Sequence, residues 1–143
     1  MPCREPMVRI AKSVTIASDP RTVWSLASDL DREPEIWKGT KAVRILSASG
    51  NVVEREVTLA FRGRTERERV TLEPPHRVVH ELLKGPMKGT KTVSVLPKGD
   101  GSTELSAVYE VTLRGFLKVG TGPFTRHAAD GVEHALQRIK DLA

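Results

Sequence analysis

Hydrophobic and polar residues alternate with a period of two along most of the chain. In the segment 7–17, Val8, Ile10 and Ile16 share one parity, which predicts a first strand. The same alternation, broken by short turns rich in glycine and proline, predicts further strands over 41–48, 52–62, 65–73, 77–83, 90–96 and 103–113. About seven strands at such close spacing are typical of antiparallel hairpins.

Three segments depart from this alternation. Ser18-Asp19-Pro20 predicts the start of a short helix that runs to about Asp29, with Asp19 as its N-cap. The segment 31–37 predicts a second helical turn or a loop, because Pro34 disfavours helical backbone at Glu33. Apolar residues at three- and four-residue spacing over 124–142 predict one long C-terminal helix.

This order of elements predicts an α+β fold in a single domain over 1–143. We expect a curved, seven-stranded antiparallel sheet wrapped around the C-terminal helix, with two short helices between the first two strands. Small residues on the long helix, Ala128, Gly131 and Ala135, remove volume where it meets the sheet. One helix would then leave space in the hollow of the sheet, which makes an apolar ligand cavity the main functional prediction.

The chain resembles the START/Bet v1-like superfamily, which has the helix-grip fold, and within it the polyketide cyclase / coenzyme Q-binding branch. The likeness rests on Val14-Thr15-Ile16-Ala17-Ser18-Asp19-Pro20, which precedes Val23-Trp24-Ser25-Leu26-Ala27-Ser28-Asp29. The position of Trp37, the Glu73-Pro74-Pro75 turn and the last helix also fit, so the likeness covers nearly the whole chain. Proteins of this fold include lipid carriers, quinone-binding proteins and polyketide cyclases, and the resemblance therefore implies a cavity but no particular function.

Candidate ligand contacts follow from the expected inward parity and from the position beside the long helix. Trp37 is either a lid over the pocket or a plug for the core, and the glycine-rich segment 115–123 is either a portal or a simple corner. The predicted ligand-binding residues are Ile36, Trp37, Val57, Leu59, Phe61, Val70, His80, Tyr109, Phe116, Phe124, His127, Ala128 and Gly131.

Candidate catalytic groups are His80, Glu68 and Tyr109. His80 and Tyr109 share the parity of apolar neighbours in their strands. Glu66 and Glu68 share the parity of Val70, and Arg55 or Arg64 would be the partner of a buried carboxylate. We favour the alternative that the charged run 64–69 is a solvated strand end, and the facing of 64–69 and 77–83 stays open.

Metal and cofactor binding are not expected. His127 and His134 are seven residues apart and have no close third ligand, whereas zinc requires three or more protein ligands. The Gly-x-Gly of the segment 115–123 precedes the last helix of an antiparallel fold, so it does not indicate a nucleotide loop.

The net charge of +5 is spread along the chain, and aromatic residues are few. This pattern indicates a mixed solvated surface, so we expect no nucleic-acid partner and at most peripheral membrane contact. The absence of a leader and the single cysteine favour a cytoplasmic location, and scarce amides resemble a thermophile's composition.

Three functions remain open. The first, which we prefer, is a non-catalytic carrier or chaperone of a lipid, isoprenoid quinone or polyketide-like molecule, acting as a monomer or homodimer. The second is a cyclase, aromatase or dehydratase. The third is an accessory or co-chaperone protein that docks on a partner.

Overall fold

Seven antiparallel strands form one sheet around a long helix in the computed structural model, which describes residues 7–113 and 121–143 and, for 121–123, the backbone only. The strands lie in the order β1-β7-β6-β5-β4-β3-β2. Their bounds are β1 (Met7–Ile16), β2 (Thr40–Ser49), β3 (Val52–Leu59), β4 (Thr65–Glu73), β5 (Arg77–Lys84), β6 (Met87–Pro97) and β7 (Thr103–Leu113). The helices are α1 (Pro20–Ala27), α2 (Glu33–Ile36) and α3 (Thr121–Leu142), and a 3-10 turn spans Leu30–Arg32.

The predicted fold class is confirmed, and most of the predicted strands end within a few residues of the observed bounds. β3 is shorter than predicted, because the chain turns at 60–64, and Phe61 lies in this turn. β6 is longer, since the expected loop over 85–89 is only a tight turn at Gly85-Pro86.

The prediction for the helix starts is partly confirmed. Asp19 caps α1, and its carboxylate accepts a hydrogen bond from the backbone N–H of Thr22 at 2.8 Å. The expectation that Pro34 keeps Glu33 out of helical conformation is wrong, because α2 begins at Glu33 with Pro34 in its first turn. A proline is tolerated there, since the first helical N–H groups have no partner within the helix.

The core lies between α3 and the inner face of the sheet, which we define as the face towards α3. Alternate residues of β1 and β7 pack against one stripe of α3, and β6 continues the same apolar face beneath α1. The buried helix residues are Val132, Ala135, Leu136 and Ile139, and the sheet residues facing them include Val8, Ile10, Val93, Val95, Leu105, Ala107 and Val111.

Candidate functional site

A row of polar side chains crosses the inner face of the sheet, where apolar residues are the rule. The row follows the strand pairing: Arg55 of β3 is opposite Glu68 of β4, and Lys91 of β6 is opposite both His80 of β5 and Tyr109 of β7. Because side chains alternate between faces, each of these residues shares its face with buried apolar neighbours. We call Arg55, Glu68, His80, Lys91 and Tyr109 the polar row.

Glu33 reaches the polar row from the opposite side. It lies in the first turn of α2, and its carboxylate pairs with the guanidinium of Arg55. Its Oε1 lies 3.7 Å from Nε2 of His80 and 4.0 Å from Nζ of Lys91. The exposed fraction of Glu33, Arg55, Glu68, His80 and Lys91 is 6% or less in each case, so the charges are shielded from water.

Glu68 is the most heavily hydrogen-bonded carboxylate of the row. Its Oε1 accepts from Nη2 of Arg55 at 2.9 Å, from Nε of the same side chain at 3.2 Å, and from Nδ1 of His80 at 3.1 Å. Burial alone would raise the pKa of Glu68, but the hydrogen bond from His80 and the charges around it lower that pKa to about 2. The carboxylate is therefore ionised at neutral pH.

His80 is neutral in this environment. Burial, reinforced by the positive charge of Lys91, lowers the pKa of His80 from its ordinary value. We assign the ring proton to Nδ1, because Glu68 Oε1, 3.1 Å away, can only accept a hydrogen bond; Nη2 of Arg55, 3.3 Å from the same Nδ1, then donates to Glu68 instead. The two residues thus form a fixed donor–acceptor pair inside the sheet.

Arg55 connects the two carboxylates. Burial would lower the pKa of its guanidinium, but Glu33 and Glu68 outweigh that effect and raise it. Two carboxylates and one guanidinium leave one negative charge, which the nearby Lys91 ammonium balances.

Lys91 lies between two aromatic rings. Its Nζ is 3.7 Å from the centroid of the Trp37 ring and 5.7 Å from that of Tyr109, so both rings offer π-faces to the cation. Burial is the main cause of a lowered Lys91 pKa, and Glu33 and Glu68 oppose it. Burial also raises the pKa of the Tyr109 phenol, which stays protonated and able to donate.

Glu66 is a further buried carboxylate on the inner face of β4. Its Oε1 accepts a hydrogen bond from the backbone N–H of Met87 at 3.2 Å, at the turn between β5 and β6. Gly85 in that turn has a φ of +150°, and a Cβ there would lie 1.5 Å from Oε2 of Glu66. The carboxylate fits only because residue 85 lacks a side chain.

The interpretation we favoured for 64–69, a solvated strand end, is wrong. Glu66 and Glu68 are buried, and Arg55 is the partner of Glu68, as the alternative anticipated. Glu66 and Glu68 follow the alternation of β4 and point to the inner face. Burial of carboxylates is possible there because β3 and α2 supply compensating charged partners.

The predicted ligand contacts fall into distinct groups. Ile36, Trp37, Val57, Val70 and His80 are buried, so the structure favours Trp37 as a plug over Trp37 as a lid. Leu59, Tyr109, Phe124, Ala128 and Gly131 are partly accessible.

Three other predicted contacts lie elsewhere. Phe61 is 43% exposed, because β3 ends before it and it lies in the turn that follows. His127 is exposed on α3. Phe116, with most of the proposed portal, lies outside the described residues.

The partly accessible positions locate the open part of the interior. Ala128 and Gly131 lie on the stripe of α3 that continues into the buried Ala135 and Ile139. Among the described residues, no atom lies within 4 Å of where a Cβ of Gly131 would be. The described residues therefore leave space beside Gly131, in the first half of α3.

Sequence reasoning missed Glu33 and Lys91. Lys91 shares the parity of Val93 and Val95, and a lone charge among inward-facing valines was a usable signal. Glu33 had no such signal, because α2 is too short to show a period.

Neither a metal centre nor a membrane-spanning helix is found in the described part of the chain. Residues 7–113 and 121–143 contain no group of three or more His, Cys, Asp or Glu side chains arranged to hold a metal ion. Within the same ranges, no helix has the length and hydropathy needed to cross a bilayer.

Comparison with solved structures establishes the fold. A Thermus thermophilus protein superposes with a TM-score of 0.78 at 17% identity, over 93% of this chain and 94% of that one. The Zhui aromatase/cyclase of a Streptomyces species gives 0.67 at 19% identity, with 96% and 90% covered. A START superfamily protein of Mycobacterium smegmatis gives 0.67 at 20% identity, with 95% and 99% covered. The fold is thus the helix-grip fold, as the sequence predicted.

The chain belongs to the family described as polyketide cyclase / dehydrase and lipid transport, whose model matches residues 7–143. No curated protein matches the sequence. The identities to the solved structures are low, so these structures establish the fold, and the function has to be argued from this chain's own residues.

Proposed function

We propose that this protein binds an apolar small molecule between the sheet and α3, as a carrier or chaperone. The observation that supports this most directly is the space beside Gly131, on a helix stripe that is otherwise packed against the core. Tyr109, on an inward-facing position of β7, keeps partial accessibility. The family description includes lipid transport, which agrees with a lipid, isoprenoid quinone or polyketide-like ligand.

The purified protein itself provides the test. Organic extraction followed by mass spectrometry should recover a hydrophobic molecule in stoichiometric amount. A parallel extraction of the Gly131→Phe variant, in which a ring fills the space, should recover much less. Equal recovery from both proteins would contradict the proposed location, and recovery from neither would contradict the carrier function.

A second candidate, cyclisation or dehydration of a polyketide-like substrate, is favoured by one observation. His80 and Glu68 form a protonatable pair on the inner face, with Nδ1 and Oε1 3.1 Å apart. Proton transfer by such a pair is a recognised source of rate acceleration. The Zhui aromatase/cyclase has the same fold, and the family description includes cyclases and dehydrases.

Incubation with a linear poly-β-ketone thioester separates the two candidates. An enzyme would convert it to cyclic products, and His80→Gln would abolish the conversion without preventing ligand retention. A carrier would bind the thioester and return it unchanged.

A further inference from the structure

We propose that Lys91 and Tyr109 together recognise a negatively charged oxygen on the ligand, so that the protein selects apolar acids over neutral analogues. This inference rests on the proposed binding function, because it names the head group of the molecule held beside α3. The ligand class would be an apolar body that ends in a carboxylate, phenolate or enolate.

Lys91 and Tyr109 are placed to act on the same atom. They are directly paired across β6 and β7, and both lie at inward-facing positions. The ammonium of Lys91 is 5.7 Å from the centroid of the Tyr109 ring. Side chains at directly opposite positions of antiparallel strands are neighbours, so one ligand head group can meet both donors.

Neither donor has a hydrogen-bond acceptor among the described residues. The nearest carboxylate oxygen to Nζ of Lys91 is Oε1 of Glu33, at 4.0 Å, which is too far for a hydrogen bond. The Tyr109 hydroxyl likewise has no acceptor in the described part of the chain. A buried ammonium has three donor hydrogens, and leaving them without acceptors is unfavourable in an interior of low dielectric.

The neighbouring carboxylates are already committed to other partners. Glu68 accepts from Arg55 and His80, and Oε2 of Glu33 pairs with Arg55, which leaves Lys91 only the ion pair with Oε1 of Glu33 at 4.0 Å. Trp37 closes one side of the ammonium with its ring face, which attracts a cation without accepting its N–H groups as an oxygen would. Around Lys91, Glu33, Trp37 and His80 are buried, whereas Tyr109 is partly accessible, so a ligand would approach the ammonium from the side of Tyr109.

Two donors without hydrogen-bond acceptors, one of them charged, favour an anion over other head groups. Hydrogen bonds to a charged partner contribute about 1.5–3 kcal/mol, more than those between neutral groups, which corresponds to roughly ten- to a hundredfold in affinity. A neutral alcohol of the same shape would keep the apolar contacts and lose this preference. A cationic head group would be repelled by Lys91.

Two probes of matched shape test the inference, 1-naphthoate and 1-naphthalenemethanol, titrated calorimetrically against the full chain at neutral pH. The wild-type protein should bind the acid about tenfold or more tightly than the alcohol. Lys91→Met keeps the length of the side chain and should reduce the ratio to about one. Tyr109→Phe removes only the hydroxyl and should reduce the ratio by a smaller factor.

Lys88→Met is the matched control, because Lys88 is exposed on the same strand and should leave the ratio unchanged. Equal binding of both probes by the wild type would overturn the anion site and leave the apolar binding function standing. A preference that survives in both Lys91→Met and Tyr109→Phe would also overturn it. Failure of both probes to bind the wild type would instead count against the proposed binding function. Should Lys91→Met fail to fold by circular dichroism, Tyr109→Phe alone decides.

Discussion

At the scale of single residues, β3 and β4 are joined by two Arg–Glu ion pairs, one buried and one half-exposed. Arg55 and Glu68 are opposite each other on the buried face, and Glu54 and Arg69 occupy the adjacent rung on the outer face. Arg55→Met leaves two buried carboxylates without their guanidinium and should lower the free energy of unfolding by about 3–5 kcal/mol. Arg69→Met breaks half-exposed pairs and should lower it by less than about 1 kcal/mol. Urea denaturation of both variants measures the difference, and similar losses would contradict the shielding of the inner pair.

The lowered pKa of Glu68 predicts a defined acid sensitivity. The ordinary value for this carboxyl is 4.5 and its folded value is about 2, so the unfolded chain binds more protons between these values. The stabilisation is fully present above pH 4.5 and is lost as the pH falls towards 2, by up to about 3 kcal/mol. Because the pKa of His80 is also lowered, its protonation acts in the same direction below pH 6.5.

Glu68→Gln checks this assignment. The variant should be less stable at pH 7, since Arg55 and His80 lose a charged acceptor. Between pH 5 and pH 2.5, however, its unfolding free energy should fall less steeply with acidification than that of the wild type. Parallel slopes over that range would assign the acid sensitivity to other carboxyls.

At the scale of elements, local periodicity was enough to predict the strands but not what compensates a buried charge. The alternation of β4 correctly indicates that Glu66 and Glu68 point inwards, yet the run of six polar residues over 64–69 favours exposure of the segment to solvent. What decides the facing is non-local: Arg55 is thirteen positions from Glu68, and Glu33 comes from a separate helix. Such partners become visible only once the strand register is known.

Two glycines should respond oppositely to the same substitution, because their elements surround them differently. At Gly85 the φ of +150° is unfavourable for alanine, and the new Cβ would lie 1.5 Å from Oε2 of Glu66. Gly85→Ala should therefore lower the unfolding free energy by roughly 2–3 kcal/mol. At Gly131, inside α3, the described residues leave room for a methyl group, and alanine favours a helix by about 0.5–1 kcal/mol. Gly131→Ala should raise the melting temperature, and a lower one would show that the space is occupied.

At the scale of the whole molecule, the inner face of the sheet has two regions with different coverings. α3 packs on β1 and β7, where the facing residues are apolar. Farther along the sheet, α2 and Trp37 cover β3 to β6, and the polar row replaces apolar packing there. Lys91 and Tyr109 lie where the two regions meet, so a ligand beside α3 would have an apolar wall along its body and donors at one end.

Ligand linkage provides the last prediction. A molecule that binds only the folded state at a hundred times its dissociation constant stabilises that state by about 2.7 kcal/mol. Saturating 1-naphthoate should therefore raise the melting temperature of the wild type by several degrees. Gly131→Phe should fold but show almost no shift, because its ring occupies the ligand's place, whereas Gly131→Ala should keep most of it. A full shift in Gly131→Phe would move the ligand away from α3, and the role inferred for Tyr109 towards a ligand held there would fail with it.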